Sequence, residues 1–256
     1  EILRNAGIEL DERPGLKGEE LKAALRLADG VVVRSGTRIT ADLIENPGKL
    51  RVIVRGGVGV DNIDVAAATR KGIVVMNTPD ANTLSTAEHT ISLLMSMARH
   101  IPAADASMRA GKWEKSKFIG AQLTGKTLGV IGLGRIGREV ARRAAQGLGM
   151  HVLGFDPVLA PSASAQLGIQ TVPSVDELCP KCDFVTVHTP LTPETRHMLG
   201  AKQLALLPKG ARVINCARGG IYNEQALLEG LADGAIDFIC SNHIPWDTEA
   251  KNLEFP

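Results

Sequence analysis

The chain has few aromatic residues and almost no net charge. Two Trp, one Tyr and five Phe make up 3% of its 256 residues, too few for the stacking surface that single-stranded nucleic acid needs. The 29 Lys and Arg residues balance 28 Asp and Glu residues, so the net charge of +1 implies no polyelectrolyte partner. No apolar run reaches the roughly 18 residues of a membrane helix, and no secretory signal pattern opens the chain. We therefore expect one large or two small globular domains that bind neither nucleic acid nor membrane.

Histidine and cysteine are also scarce, which leaves little support for a metal site. The pair Cys179 and Cys182 has the spacing of a redox pair or of half a zinc site, but zinc needs about four ligands and no second pair occurs. A thioredoxin-type pair would follow a strand and open a helix, whereas this pair precedes a predicted strand, Phe184–Val187. The six histidines show no helical i, i+4 pairing. We expect no metal, and reduced thiols in a cytoplasmic protein.

Short apolar strands alternate with helical stretches along the chain, which indicates βαβ units and a parallel sheet. The first such unit spans residues 1–80, and the second spans residues 81–256 and begins with a long connecting helix. Within them the pattern predicts a short helix over Thr40–Glu45 and a long amphipathic segment over Ser85–Ala110 that is interrupted at Pro102. The hinge near residue 80 is the expected place for a substrate cleft.

The most informative motif is Gly132-Leu133-Gly134-Arg135-Ile136-Gly137, which follows the predicted strand Thr127–Ile131 and opens a helix. In this context it predicts a dinucleotide site. Gly132 permits the tight turn, Gly134 leaves room for the pyrophosphate, and Gly137 packs the helix on the strand. Arg135 and Ile136 begin the helix whose N-terminal amides receive the phosphates. An ordinary strand–turn–helix is the alternative.

Asp156 closes the second predicted strand, 19 residues after Gly137. A carboxylate at this point accepts hydrogen bonds from a ribose 2′-hydroxyl and repels a 2′-phosphate, so the cofactor is expected to be NAD rather than NADP. The alternative is a structural Asp in a turn before Pro157.

Polar clusters follow other predicted strands, where ligands of open α/β sheets collect. Arg34 follows the first strand, and Arg55 and the glycines after it, Gly57 among them, follow the second. Forked guanidinium donors and glycine amides suit a carboxylate or phosphate, although a glycine-rich turn with two exposed arginines remains open. Asn82 starts the connecting helix, either as a cap or as a residue that reaches the cleft.

In the second unit, His188, Thr189 and Pro190 end one strand, and Cys216, Ala217 and Arg218 follow another. The guanidinium of Arg218 would clamp the carboxylate and polarise the carbonyl of a 2-oxo acid, which makes it the expected catalytic residue. A structural ion pair is the alternative.

These residues lie in stretches that resemble the D-isomer-specific 2-hydroxyacid dehydrogenases. The matching stretches are VVVRSGTRIT, VRGGVGVDNID, AATRKGIVVMNTPDANTLSTAEHT, GKTLGVIGLGRIGREVARR, FVTVHTPLTPET and RVINCARGGI. The resemblance implies a Rossmann-type doubly wound parallel sheet with a second, smaller flavodoxin-like α/β substrate domain. It implies hydride transfer between a D-2-hydroxy acid and NAD, with 3-phosphoglycerate as the small-molecule substrate at the start of phosphorylated L-serine biosynthesis. It also implies a cytoplasmic homodimer or homotetramer. By this resemblance, Arg34, Arg55, Gly57 and Asn82 would contact the substrate. The NAD site would be lined by His188, Thr189, Pro190, Cys216 and Ala217.

The last residues depart from that family, which has a catalytic glutamate in a segment like L-D-V-F-x-x-E-P and a histidine in P-H-L-G-A-S-T. Residues 236–256 contain neither motif. Asn242 and Asp247 fall near the family's aspartate and glutamate, but neither they nor His243 stand in the family context. Val58 also replaces the threonine that is frequent near the nicotinamide. We expect a chain trimmed at its N-terminus, with an incomplete substrate domain and an incomplete catalytic set.

Two alternatives to 3-phosphoglycerate oxidation therefore stay open. One is another member of the family, which acts on glyoxylate, hydroxypyruvate or lactate. The other is a non-catalytic NAD-sensing module that binds protein partners, because without a general base hydride transfer is slower by a factor on the order of 10²–10⁴.

Overall fold

The structure is a computed structural model, and it describes residues 2–159, 168–232 and 234, together with the backbone of residues 236–241. It divides into two compact units, Glu1–Asn82 and Thr83–Pro256. In the described part of the chain, no helix is both long enough and apolar enough to cross a membrane.

The first unit contains three short parallel strands, β1 to β3, in the order β1-β2-β3. Their carboxyl ends are level, because Val33, Arg55 and Asn77 are register partners. The core of this unit packs α2 and α3 against one face of the sheet. The bounds are α1 (Ile2–Asn5), α2 (Gly18–Leu27), β1 (Gly30–Val33), β2 (Val52–Arg55), α3 (Val65–Arg70) and β3 (Val74–Asn77).

One face of this three-stranded sheet is apolar and uncovered by the described residues. Val32 and Met76 are register partners of Val54 on neighbouring strands and are 64% and 52% exposed. Parallel sheets are normally covered on both faces, so this exposed face is unusual.

The predicted helix over Thr40–Glu45 is wrong. Residues 41–44 form turns, in which the adjacent side chains of Leu43 and Ile44 are both buried. A segment of six residues gains few helical hydrogen bonds against the cost of helix nucleation, and here the turns bury Leu43 and Ile44 without a helix.

The second unit is a six-stranded parallel sheet in the order β6-β5-β4-β7-β8-β9. The order reverses at β4, as in a doubly wound dinucleotide-binding fold. One hydrophobic cluster joins α4 and α6 to one face, and a second joins the later helices to the other face. The bounds are α4 (Thr83–Ala98), α5 (Ile101–Arg109), β4 (Thr127–Ile131), α6 (Arg135–Leu148), β5 (His151–Phe155), β6 (Gln170–Thr171), α7 (Val175–Leu178), β7 (Phe184–Val187), α8 (Ala201–Ala205), β8 (Ala211–Asn215), α9 (Glu224–Ala232) and β9 (Ile236–Ser241).

The long amphipathic segment is two helices, as predicted, but the break lies before Pro102. Helix α4 ends at Ala98, and His100 has a positive φ of 53°. Pro102 lies in the first turn of α5, where its missing N–H costs nothing. The proline therefore begins the second helix and does not interrupt a continuous one.

Candidate functional site

The glycine motif forms the loop between β4 and α6, and two of its glycines are required by close backbone contacts. Gly132 has a φ of 90°, and a Cβ there would lie 2.8 Å from the carbonyl of His188 at the end of β7. A Cβ on Gly137 would lie 1.9 Å from the carbonyl oxygen of Gly132. The first turn of α6 is thus packed directly on the loop, as the motif predicts.

Gly134 has the opposite surroundings, since a Cβ built on it would meet no atom within 4 Å. It is the N-cap of α6, where no described side chain caps the helix and the first turn has no acidic residue. Amides in a first helical turn have no intrahelical acceptor, and the helix dipole favours an anion there. This open helix N-terminus fits the diphosphate of a dinucleotide.

Asp156 follows β5 beside this loop, and its carboxylate is fixed by backbone donors. Its Oδ2 accepts a hydrogen bond from Leu133 N at 2.8 Å. Its Oδ1 accepts from Val158 N at 2.9 Å and from Leu159 N at 3.2 Å. The residue is half-buried. Sequence reasoning assigned Asp156 to the ribose and missed its contact with the loop.

The end of β7 supplies the next predicted group, His188, Thr189 and Pro190. The Nε2 of His188 lies 3.1 Å from the hydroxyl of the fully buried Thr186, and burial lowers the pKa of His188 to about 4. The imidazole is therefore neutral at physiological pH. The Thr189 hydroxyl is buried beside Gly132 and has no hydrogen-bond partner among the described residues, so its capacity to donate and accept is unused there.

The turn after β8 carries Cys216, Ala217 and Arg218, and the side chain of Asn215 organises it. Asn215 accepts a hydrogen bond from Ala217 N at 3.0 Å and donates one to the Arg218 carbonyl at 2.8 Å. Arg218 is half-buried, and its Nη1 donates to the Ala217 carbonyl at 2.8 Å. Sequence reasoning missed Asn215, although an Asn directly after an apolar strand is a known turn former.

These groups lie at one edge of the second unit. Strands β5, β4, β7 and β8 are neighbours, and Ile131, Phe155, Val187 and Asn215 are level at their carboxyl ends. The structure thus brings together the glycine loop, Asp156, the residues after β7 and Arg218.

The predicted anion-binding residues of the first unit also lie together, at the ends of β1 and β2. A Cβ on Gly57 would lie 1.7 Å from Nη1 of Arg55, so the guanidinium lies against the glycine backbone. The neighbouring Gly56 faces the Arg34 side chain, with 3.8 Å between a Cβ built on it and Cγ of Arg34. Arg34 is exposed and Arg55 half-buried.

Two asparagines that sequence reasoning missed hold this loop. Asn62 donates from Nδ2 to the carbonyls of Arg34 and Thr37, at 3.0 and 2.6 Å. Asn77 donates from Nδ2 to the Val58 carbonyl at 2.7 Å. Asn82 is half-buried and directly precedes α4.

The remaining candidates give no second site. Cys179 and Cys182 are fully buried, and burial raises the pKa of each thiol to about 12. Among the described residues no three His, Cys, Asp or Glu side chains are grouped to hold a metal ion. Asn242, His243 and Asp247 lie outside the described residues.

Comparison with known proteins identifies the second unit. Residues 91–243 match the family model for the NAD-binding domain of the D-isomer specific 2-hydroxyacid dehydrogenases. The cofactor of this domain is NAD, as the glycine motif and Asp156 predicted.

Individual relatives agree with that family. The chain is 53% identical over 234 residues to D-3-phosphoglycerate dehydrogenase of Sus scrofa, covering 91% of this chain and 44% of the pig protein. It therefore spans less than half the length of that relative. A crystal structure of a Thermus thermophilus protein superposes with a TM-score of 0.85 at 34% identity, covering 98% of this chain and 82% of the other.

A D-lactate dehydrogenase from Aquifex aeolicus, solved as a complex with NAD and lactic acid, superposes with a TM-score of 0.78 at 29% identity, covering 91% of this chain and 69% of the other. The resemblance noted in the sequence is confirmed, and the chain belongs to the D-isomer specific 2-hydroxyacid dehydrogenase family.

Proposed function

We propose that this protein oxidises 3-phospho-D-glycerate to 3-phosphohydroxypyruvate with NAD, the first step of phosphorylated L-serine biosynthesis. The name of the pig relative, at 53% identity over 91% of this chain, supports that substrate. The observation that carries the proposal is the pair of arginines, Arg34 and Arg55, at adjoining strand ends of the first unit.

Two guanidinium groups suit a substrate with two anionic groups. Each presents forked N–H donors that match a carboxylate or a phosphate. Arg55 is held against the backbone of Gly57, so part of the conformational cost of ordering its long side chain is met before the ligand binds. Arg34 lies on the neighbouring strand end, where it adds a second charge. We assign an anionic group of the substrate to each of these two arginines.

Arg218 is the proposed catalytic residue of the second unit. The Asn215 side chain and the Ala217 carbonyl hold its turn and its guanidinium. A cation fixed in this way stabilises negative charge on the oxygen at C2 and orients the substrate carboxylate.

The residues at the ends of β4, β5, β7 and β8 would hold NAD, which accepts a hydride from C2 of the substrate when it is bound. Gly134 and the first turn of α6 would bind the diphosphate, and Asp156 would bind the adenosine ribose. The hydroxyl of Thr189 would form a hydrogen bond with NAD. The hydroxyl proton must leave to a general base or to water as the hydride leaves C2, and we assign no described residue as that base. The neutral His188 is half-buried and lies against the buried Thr186, and its low pKa makes it a weak proton acceptor.

Steady-state kinetics with 3-phosphoglycerate and with D-glycerate, its unphosphorylated analogue, test the substrate. We expect Arg34→Ala and Arg55→Ala each to raise KM for 3-phosphoglycerate by about tenfold or more, because each removes a charge-assisted contact. KM for D-glycerate should change less. Arg51→Ala is the matched control, since Arg51 is exposed at the amino end of β2. An unchanged KM for the phosphorylated acid in both variants contradicts the assignment.

A second candidate function is a nucleotide-binding module without turnover. The sequence after α9 favours it, because residues 236–241 read IDFICS where the family has its glutamate segment. Tight NADH binding without oxidation of any 2-hydroxy acid would support this alternative. The cytoplasmic location and an assembly of two or four copies stay predictions from the family resemblance.

A further inference from the structure

The backbone of Leu133, inside the glycine loop, is held by charged side chains at both its N–H and its carbonyl. Its N–H donates to the Asp156 carboxylate at 2.8 Å. Its carbonyl accepts a hydrogen bond from Nε of Arg138 at 2.6 Å. Because these two bonds hold the peptide groups on either side of the Leu133 Cα, they fix the rotation of the backbone that leads into Gly134 and the start of α6.

The side chain of Leu133 adds a third anchor. It is 1% exposed, and a Cβ on Gly154 of β5 would lie 2.7 Å from its Cδ1. The absence of a side chain at Gly154 therefore makes room for Leu133 over the sheet. Gly132 N also donates to the Phe155 carbonyl at 2.8 Å, so two successive loop amides are bonded to the end of β5 and the residue after it.

We propose that Asp156 and Arg138 are positioning residues that hold the glycine loop ready for the diphosphate before any ligand arrives. Asp156 then has a role that does not depend on a ribose hydroxyl, and Arg138 supports the site without a contact to the cofactor. The proposal rests on NAD binding at this loop.

The charges of the two side chains suit this task. A carboxylate is a strong acceptor for a backbone N–H, and a guanidinium is a strong donor to a carbonyl. The negative charge of Asp156 is shared among three amides, those of Leu133, Val158 and Leu159, which ties the glycine loop to the segment after β5. Loss of the bond from Leu133 N to Asp156, or of the bond from Arg138 to the Leu133 carbonyl, lets the backbone at Leu133 rotate. The amides in the first turn of α6 then no longer point in the same direction.

Two ligands separate this role from ribose recognition. ADP carries the diphosphate and both ribose hydroxyls, whereas 2′,3′-dideoxy-ADP keeps the adenine, the sugar ring and the diphosphate but lacks both hydroxyls. The variants are Asp156→Asn and Arg138→Met, which keep the approximate shape of the side chains, with Arg138→Lys to restore a single donor. The controls are Arg142→Met, on the same helix and bonded to Glu139, and Asp183→Asn, whose carboxylate accepts Thr127 N at the other end of the strands.

Isothermal titration of each variant with both ligands gives the binding result. We expect Asp156→Asn and Arg138→Met each to weaken the binding of 2′,3′-dideoxy-ADP by about tenfold or more, the size expected for a lost hydrogen bond to a charged group. Arg138→Lys should recover part of that loss, and the two controls should leave it within about twofold. Unchanged affinity for the dideoxy ligand in Asp156→Asn and Arg138→Met overturns the proposal, as does an equal loss in the controls.

Amide hydrogen exchange of Leu133 in the ligand-free protein gives an independent result. The exchange should be slow in the wild type and about tenfold or more faster in Asp156→Asn and in Arg138→Met, with thermal melts to show that both variants fold. This readout needs no cofactor, so it distinguishes failure of the proposed positioning from failure of NAD binding. If the Leu133 amide exchanges equally fast in the wild type and in both variants, Asp156 and Arg138 do not position the loop.

Discussion

Substitution of single glycines separates the packing role of the loop from its binding role. In Gly137→Ala the new methyl group would start 1.9 Å from the Gly132 carbonyl oxygen and 3.4 Å from Cγ1 of Val130. A carbon–oxygen contact needs at least about 3 Å, so the helix and the loop must separate by roughly 1 Å. Overpacking of this kind costs about 1–3 kcal/mol, and we expect the upper end because the obstacle is backbone.

For the second unit this cost corresponds to a fall in Tm of about 6–12 °C, at roughly 2–4 °C per kcal/mol for a domain of this size. NADH affinity should fall as well, because the loop moves. Differential scanning calorimetry measures the first effect, and NADH fluorescence titration measures the second.

Two further variants are the controls. In Gly134→Ala the new methyl group meets no protein atom within 4 Å, so the Tm should fall by only a few degrees, because alanine is a poorer N-cap than glycine. The affinity for NADH should fall about tenfold or more, because the methyl group occupies the space proposed for the diphosphate. Gly147→Ala, near the end of the same helix, also meets nothing and should raise Tm slightly without a change in NADH affinity. A Tm for Gly137→Ala within about 2 °C of the wild type would refute the close backbone contact.

The other predictions concern the anion loop, the buried histidine and the thiols. Gly57→Ala should push the Arg55 guanidinium away and raise KM for 3-phosphoglycerate about tenfold with unchanged NADH affinity, and equal KM values would contradict that contact. Burial lowers the pKa of His188 from about 6.5 to about 4, so between these two pH values the imidazole takes up a proton only in the unfolded chain. The free energy of unfolding should therefore fall as the pH falls from 6.5 to 4, by on the order of 3 kcal/mol. His188→Gln should flatten this slope in urea titrations, and an equal slope would count against the buried neutral ring. Cys179 and Cys182, with pKa values of about 12, should resist alkylation by iodoacetamide in the folded protein and react in urea. Peptide mass mapping measures the alkylation, and rapid labelling without urea would contradict their burial.

The parts of the fold that sequence predicted are those fixed by local pattern. The strand Thr127–Ile131, the glycine turn and the helix from Arg135 follow from an apolar run, glycines and a helical period over adjacent residues. Strand β9 was not predicted, because Ile236–Ser241 follows a turn at Gly234 and was read as part of a divergent tail.

The details of the site depended on tertiary contacts that no local pattern encodes. The sequence predicts Asp156 at the end of the strand that follows the glycine motif, but it does not predict the bond to Leu133. That bond joins residues 23 positions apart and depends on the strand pairing of β4 with β5. Similarly, the need for glycine at Gly57 comes from its φ of 153° and from the Arg55 guanidinium that lies against it, and both depend on the folded loop. Side-chain hydrogen bonds to distant backbone become visible only when the strands are in register.

The structure of the protein crystallised with NADH tests the central claim most directly. The account predicts that diphosphate oxygens lie within about 3.2 Å of backbone amides in the first turn of α6, next to Gly134. It also predicts that the Leu133 amide remains bonded to Asp156. A diphosphate bound elsewhere, or a crevice at Gly134 filled by side chains while NADH binds another surface, would contradict it.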